Sequence, residues 1–213
     1  MKTKRSWGLY AVLDRSWLKG REIRKVAAEL LEGGADVIQY RDKVSATRAM
    51  VENARAILEL TRRHGIPLII NDRLDVALAA DADGLHIGSE DLPEKDARKW
   101  IGKKRILGVS VASLEDFQAS SAADYFGVGA LFPTSSKQDA MLCGTGLVRQ
   151  IRPLTALPVI GIGGINLDNV REALSAGCDG VAVLSAILGT DSVLDAARRF
   201  AECIRSAKGV KST

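Results

Sequence analysis

The sequence predicts a single (β/α)8 TIM barrel, a fold class read from three observations. Eight short apolar runs rich in Val, Ile and Leu recur along the 213 residues, as in strands buried on both faces of a parallel sheet. Amphipathic stretches with apolar residues three and four apart separate them. Small tags sit just ahead of strands: Gly33-Gly34-Ala35-Asp36, Ala80-Asp81-Ala82-Asp83-Gly84, Ala122-Ala123-Asp124 and Ala176-Gly177-Cys178-Asp179-Gly180. Each reads as a helix C-cap glycine or a tight turn feeding the next strand. Eight alternations in a chain of this size favour a closed barrel over an open doubly wound sheet.

In order, the strands are expected at Gly8–Asp14, Asp36–Arg41, Pro67–Asp72, Gly84–Gly88, Arg105–Ser110, Tyr125–Leu131, Pro158–Ile165 and Gly180–Ile187. Helical periodicity is clear over Arg21–Glu32, Thr47–Arg63 and Leu167–Ala176, and a last helix over Val193–Ala207 closes the series. No linker or low-complexity segment interrupts the pattern, so one domain is expected over 1–213, with the barrel core over about 7–207.

Composition narrows the function classes. With 46% hydrophobic and 26% charged residues, a sizeable core and a soluble surface are both available. The net charge of +4 comes from scattered Lys and Arg and implies a mild bias toward anionic ligands. Three Tyr and four Phe form no RNA-binding signature, so no nucleic-acid partner is expected. No apolar run reaches membrane-spanning length, and no membrane association is expected. Cys143, Cys178 and Cys203 lack paired metal-ligand spacing, and the basic Met1–Ser6 runs directly into a strand. Free thiols in a reducing cytoplasm follow, with a homo-oligomer left open.

In this architecture active sites lie at the C-terminal ends of the strands, so the polar residues closing each run carry the weight. On strand two, Gln39, Arg41 and Lys43 alternate, which puts an amide, a guanidinium and an ammonium on one face. Such a row of donors suits a phosphate or diphosphate. Strand three closes in Asn71-Asp72; a carboxylate after a buried run costs free energy unless paired or metal-bound, although Asp72 could instead cap a helix beginning at Arg73. Strand four continues His86-Ile87-Gly88-Ser89-Glu90-Asp91 and adds carboxylates at the neighbouring strand end. Two carboxylates on adjacent strand ends suit Mg2+, which keeps waters and binds substrate phosphates.

Strand five offers Ser110. Strand six runs into Pro133-Thr134-Ser135-Ser136-Lys137, a polar segment reaching Gly144 that suits a mobile lid. After strands seven and eight, Gly163-Gly164 and Val183-Leu184-Ser185 suit a phosphate cradle. Two anion zones and a cation site suit an enzyme that joins a diphosphate substrate to a monophosphate substrate.

From about Trp7 to Phe200 this ordered set resembles the thiamine phosphate synthases, which couple a hydroxymethylpyrimidine diphosphate to a thiazole phosphate. The matching motifs are Gln39-Tyr40-Arg41-Asp42-Lys43, Asn71-Asp72, Gly88-Ser89-Glu90-Asp91, Val109-Ser110, Pro133-Thr134-Ser135-Ser136-Lys137, Ile162-Gly163-Gly164-Ile165 and Ser185. The resemblance implies that Gln39, Arg41, Lys43, Asn71, Ser110 and Lys137 hold the pyrimidine diphosphate, with Arg41, Lys43, Ser110 and Lys137 acting in catalysis. It implies that Asp72 and Asp91 hold Mg2+, and that Thr134, Ser136, Gly164, Leu184 and Ser185 contact the thiazole phosphate.

One position departs from the family: Ala112 stands where a His is frequent. A sister family of thiazole tautomerases relies on a His in that region, and this chain has His64 and His86 alone. His64 is expected to end a surface helix before Gly65, and His86, within strand four, is expected to be structural. The alternatives are therefore a tautomerase-like isomerase and a non-catalytic phosphate-binding barrel, neither of which needs the cation and diphosphate set together.

Overall fold

The computed structural model describes residues 6–134 and 141–209. Its first half runs β1 (Leu9–Asp14), α1 (Ile23–Glu32), β2 (Val37–Arg41), α2 (Thr47–Arg63), β3 (Leu68–Asn71), α3 (Leu74–Ala80), β4 (Gly84–Ile87) and α4 (Glu94–Ile101). The second half runs β5 (Ile106–Val111), α5 (Leu114–Ala119), β6 (Tyr125–Val128), α6 (Gly144–Ile151), β7 (Val159–Ile162), α7 (Val170–Ser175), β8 (Gly180–Val183), α8 (Ser185–Leu188) and α9 (Val193–Ala207). All eight strands are parallel, each pairs with its sequence neighbour, and β8 closes on β1 through Leu9 opposite Val181. The expected (β/α)8 TIM barrel is the fold observed.

Alternation along each strand divides two cores. Outward residues such as Leu9, Leu13, Ile38, Ile70, Leu85 and Val181 pack against the helices. Inward residues, among them Tyr10, Val12, Val37, Ile69, Ile106, Tyr125, Ile160 and Ala182, fill the barrel itself. Trp7 closes the N-terminal end by packing on Tyr125, with ring centroids 4.8 Å apart. The three cysteines are free thiols.

The repeated tags have a physical function at that same end. Asp36, Asp83, Asp124 and Asp179 each precede an even-numbered strand. Each carboxylate accepts the backbone N–H of the odd strand before it: Leu9 and Leu68 at 2.9 Å, Leu107 and Val159 at 2.8 Å. The N–H of each Asp returns a bond to the carbonyl of the same residue, at 2.7 to 3.1 Å. Four reciprocal clamps thus satisfy the strand ends, where a buried donor would otherwise be stranded.

Three strand expectations fail at their C-terminal ends. Strand six stops at Val128 rather than Leu131. Strand seven stops at Ile162, because Gly163 and Gly164 turn the chain at φ 91° and 65°. Strand eight stops at Val183, and Ser185 opens the short helix α8 instead of continuing the strand to Ile187. The capping reading of Asp72 also fails. The residue preceding α3 is Arg73, which makes no side-chain cap, while Asp72 sits at φ 60°.

Candidate active site at the mouth of the barrel

β2 delivers its polar row as alternation requires, but the three side chains occupy different depths. Gln39 points into the barrel, is 5% exposed, and donates to the Tyr10 hydroxyl at 2.9 Å. Arg41, one step nearer the mouth, pairs with the buried carboxylate of Asp14. Lys43, beyond the strand end, is exposed and pairs with Asp72. The depth gradient assigns Gln39 to the floor of the mouth and the two cations to its wall.

The left-handed backbone at Asp72 lets its N–H donate to the His86 carbonyl at 2.8 Å and turns its carboxylate toward Lys43 and Asp91. Asp and Asn tolerate this conformation better than other non-glycine residues. Asp91 accepts from the Gly88 N–H at 2.7 Å. Burial, and then the Asp72 carboxylate within hydrogen-bond reach, push Asp91 above the usual carboxylate range. Two half-buried carboxylates held together favour a proton or a cation between them. No group of three or more His, Cys, Asp or Glu ligands occurs among the described residues. Two oxygen donors are a set that would fit Mg2+, a cation that usually keeps several waters and binds through one or two carboxylates plus phosphate oxygens.

Asn71 closes β3, half-buried beside this pair. Ser110 lies exposed on β5, with its Oγ 3.0 Å from His86 Nε2. The expectation of a structural His86 holds as to burial, yet the ring bridges Ser110 and the barrel interior, with Nδ1 2.8 Å from the Tyr125 hydroxyl. Burial pushes its pKa down to about 4. His64 ends α2 and bonds the Leu60 carbonyl on the surface. At Ala112 the backbone N–H donates to Asp116 at 3.0 Å, part of the start of α5.

On the other side of the mouth, Thr134 is half-buried and makes polar interactions. Ser136 and Lys137, with the middle of the expected lid, lie outside the described residues. Gly163 and Gly164 carry a packing requirement of their own: a Cβ on Gly163 would sit 2.6 Å from that of Ala130, and one on Gly164 2.6 Å from the Phe132 carbonyl oxygen. Leu184, partly buried, packs against the inner cluster. Ser185 follows in the first turn of α8.

Sequence reasoning passed over Asp14, Tyr10, Tyr125 and the bridging role of His86. Asp14 had a usable signal, a carboxylate closing a wholly apolar strand. It is 2% exposed and accepts from the Ser16 N–H at 2.8 Å as well as from Arg41.

A family model described as "Thiamine monophosphate synthase" matches residues 9–187. The chain is 45% identical to a thiamine-phosphate synthase of Alkaliphilus oremlandii over 201 residues, covering 93% of this chain and 96% of the relative. It is 48% identical to one of Chloroflexus aurantiacus over 197 residues, covering 91% of each. Among solved structures it is similar to a thiamine phosphate pyrophosphorylase from Pyrococcus furiosus, with TM-score 0.87 and 40% identity over 95% of this chain and 98% of that one.

Proposed function

The chain belongs to the thiamine monophosphate synthase family, and on that premise we propose how its barrel mouth works. It is a transferase that condenses a hydroxymethylpyrimidine diphosphate with a thiazole phosphate, yielding thiamine phosphate and diphosphate. The C–O bond to the diphosphate breaks with its electron pair leaving on oxygen. The pyrimidine ring stabilises the resulting methylene cation, and the thiazole nitrogen lone pair then forms the C–N bond.

The observation that carries the reading is the sequence of charges across the ends of four adjacent strands, β1 to β4: Lys43 on Asp72, and Asp72 against Asp91, with Arg41 beside them on Asp14. A leaving diphosphate gathers negative charge as the bond breaks, and cations already in place stabilise that charge more than the ground state. Arg41, Lys43 and Lys137 serve this purpose. Asp72 and Asp91 would hold Mg2+, which would supply Lewis-acid neutralisation of the same phosphates. Asn71 and Gln39 orient the pyrimidine end. Thr134, Ser136, Gly164, Leu184 and Ser185 receive the thiazole phosphate, and holding the two substrates together removes much of the entropic barrier.

The tautomerase alternative needs a proton carrier near position 112, and the methyl group of Ala112 cannot serve. The same reading makes the protein a cytoplasmic enzyme of small molecules. Among the described residues no helix is long and apolar enough to cross a membrane. Purified protein given both substrates and Mg2+ is expected to form thiamine phosphate and diphosphate in equal amounts, detected by chromatography. No product would overturn the assignment. Asp72→Ala should lower kcat by roughly a hundredfold or more, as loss of several kcal/mol of charge stabilisation requires, with the circular dichroism unchanged. An unaltered rate would remove Asp72 from the site.

A further inference from the structure

We propose that His86 is a positioning residue that, at the end of a one-way chain of hydrogen bonds from Gln39, aims the Ser110 hydroxyl proton at the anion in the mouth. That the anion is the diphosphate substrate rests on the function proposed above; the direction of the chain does not.

The chain crosses the barrel interior in four steps. Gln39 Nε2 lies 2.9 Å from the Tyr10 hydroxyl, which lies 2.7 Å from the Tyr125 hydroxyl. The Tyr125 hydroxyl lies 2.8 Å from His86 Nδ1, and His86 Nε2 lies 3.0 Å from Ser110 Oγ. Gln39, Tyr10, Tyr125 and His86 are all buried. An amide nitrogen can donate but not accept, and a hydroxyl has one proton to give. Tyr10 therefore accepts from Gln39 and gives its proton to Tyr125. Tyr125 in turn gives its proton to His86 Nδ1, which must be the bare nitrogen. The neutral ring carries its proton on Nε2 and donates it to Ser110 Oγ. Ser110 is left with its own proton free for a ligand.

The opposite direction fails at the far end. If Tyr125 donated to Tyr10, the Tyr10 oxygen would receive two protons, and its own would have no acceptor among its hydrogen-bond partners, Gln39 Nε2 and the Tyr125 hydroxyl, in an otherwise apolar inner cluster. A buried donor left unmade in that setting is expensive. The neutral forms assumed suit the setting: the three rings are buried in an apolar barrel interior, where a charge on any of them would be costly.

The path is also built for. At Gly108 a Cβ would strike the Tyr125 ring and His86 Nδ1, and at Gly127 it would lie 3.0 Å from His86 Cε1. Two neighbouring strands are bare where the rings meet. A fixed donor needs no reorganisation when charge develops on the ligand, which is how preorganised groups stabilise a transition state. Hydroxyl-bearing side chains in an apolar barrel have no packing need for so complete a chain.

The test begins without substrate. The protein has two histidines, so a two-bond 1H–15N spectrum of labelled protein separates buried His86 from exposed His64. His86 should show the Nε2–H tautomer between pH 6 and 8; the Nδ1–H tautomer or a doubly protonated ring would overturn the proposal. In Tyr125→Phe the same spectrum should show loss of the single tautomer, and an unchanged Nε2–H signal would equally overturn it. Kinetics supply the second arm. Ser110→Ala should lower kcat by roughly 10- to 100-fold, the value of a hydrogen bond to a charged group. Tyr125→Phe should lower it by about threefold or more, and adding it to Ser110→Ala should have no further effect. Independent, multiplying effects would mean that Tyr125 acts by packing and would overturn the relay. Wild-type protein inactive on both substrates but with the Nε2–H tautomer would refute the proposed function and leave the chain's direction standing.

Discussion

Asp83→Ala isolates the clamp that starts the strands. Asp124 and Asp179 also pair with Arg98 and Arg152, which would mix in a second effect. The substitution removes the oxygen that takes the Leu68 N–H at 2.9 Å, but leaves the return bond from the Asp83 N–H to the Leu68 carbonyl at 3.1 Å. Leu68 is 0% exposed, so the stranded donor cannot turn to water. The expected cost is about 1 to 3 kcal/mol, the desolvation penalty of an unpaired buried group. At roughly 2 to 4 °C per kcal/mol for a chain of this size, the Tm should fall by about 2 to 12 °C. Asp83→Asn keeps an acceptor oxygen and should cost about 1 kcal/mol or less. Urea unfolding followed by circular dichroism would read both as a fall in midpoint at unchanged slope. Turnover at 25 °C should be unaffected, because the clamp lies at the end of the barrel opposite the mouth. Equal losses for Ala and Asn would refute the reasoning, since the carboxylate charge and not the acceptor would then matter. No loss for Ala would show that the Leu68 N–H finds another partner.

Two further outcomes follow from the site. Gly164→Ala should lower stability and raise KM for the thiazole phosphate severalfold, because its Cβ would press on the Phe132 and Pro133 carbonyl oxygens; Gly20→Ala, at φ 84° with open space around it, shares the backbone strain and serves as the comparison. Equal stability and unaltered KM in both would show that the loop yields without cost. Inorganic diphosphate, titrated calorimetrically, should bind at least tenfold more weakly after divalent cations are chelated, and equal affinity would show that the carboxylate pair stays out of the site.

Helix boundaries were legible where amphipathic spacing met solvent at both ends. The expected Thr47–Arg63 and Val193–Ala207 match α2 and α9 residue for residue. The ends of β7 and β8 were not, because an apolar strand and an apolar helical turn look alike over four residues. Ser185-Ala186-Ile187-Leu188 continues the hydrophobic run of β8 while the backbone has already turned into α8. The polar side chains at the mouth could be read because each closes an apolar run. Tyr10, Tyr125 and His86 could not, since each sits inside such a run and reads as core. Their meeting depends on which strand faces which across the barrel, a property of closure that no local pattern contains. The left-handed Asp72 was hidden for a related reason: Asn71-Asp72-Arg73 has the composition of a helix cap, and the carbonyl of His86 on the next strand decides otherwise.

The state of the mouth bears on how its ligands arrive. Among the described residues, both cations of the β2 row already have partners, Arg41 on Asp14 and Lys43 on Asp72, and Asp91 adds a third carboxylate. Three carboxylates against two cations leave this wall without surplus positive charge, so it is poorly matched to a free diphosphate. Pairing nonetheless has a structural advantage, since buried Asp14 holds the Arg41 guanidinium in one place and limits the entropy lost when a ligand binds. A divalent cation at Asp72 and Asp91 would reverse the balance by two charges. It would also release Lys43 from Asp72, because a carboxylate coordinating a metal is a weaker partner for an ammonium. On the function proposed above, a diphosphate would then meet a free Lys43, a fixed Arg41 and the cation together. Cation and diphosphate would consequently favour each other's binding by linkage, each raising the affinity of the other by the same factor.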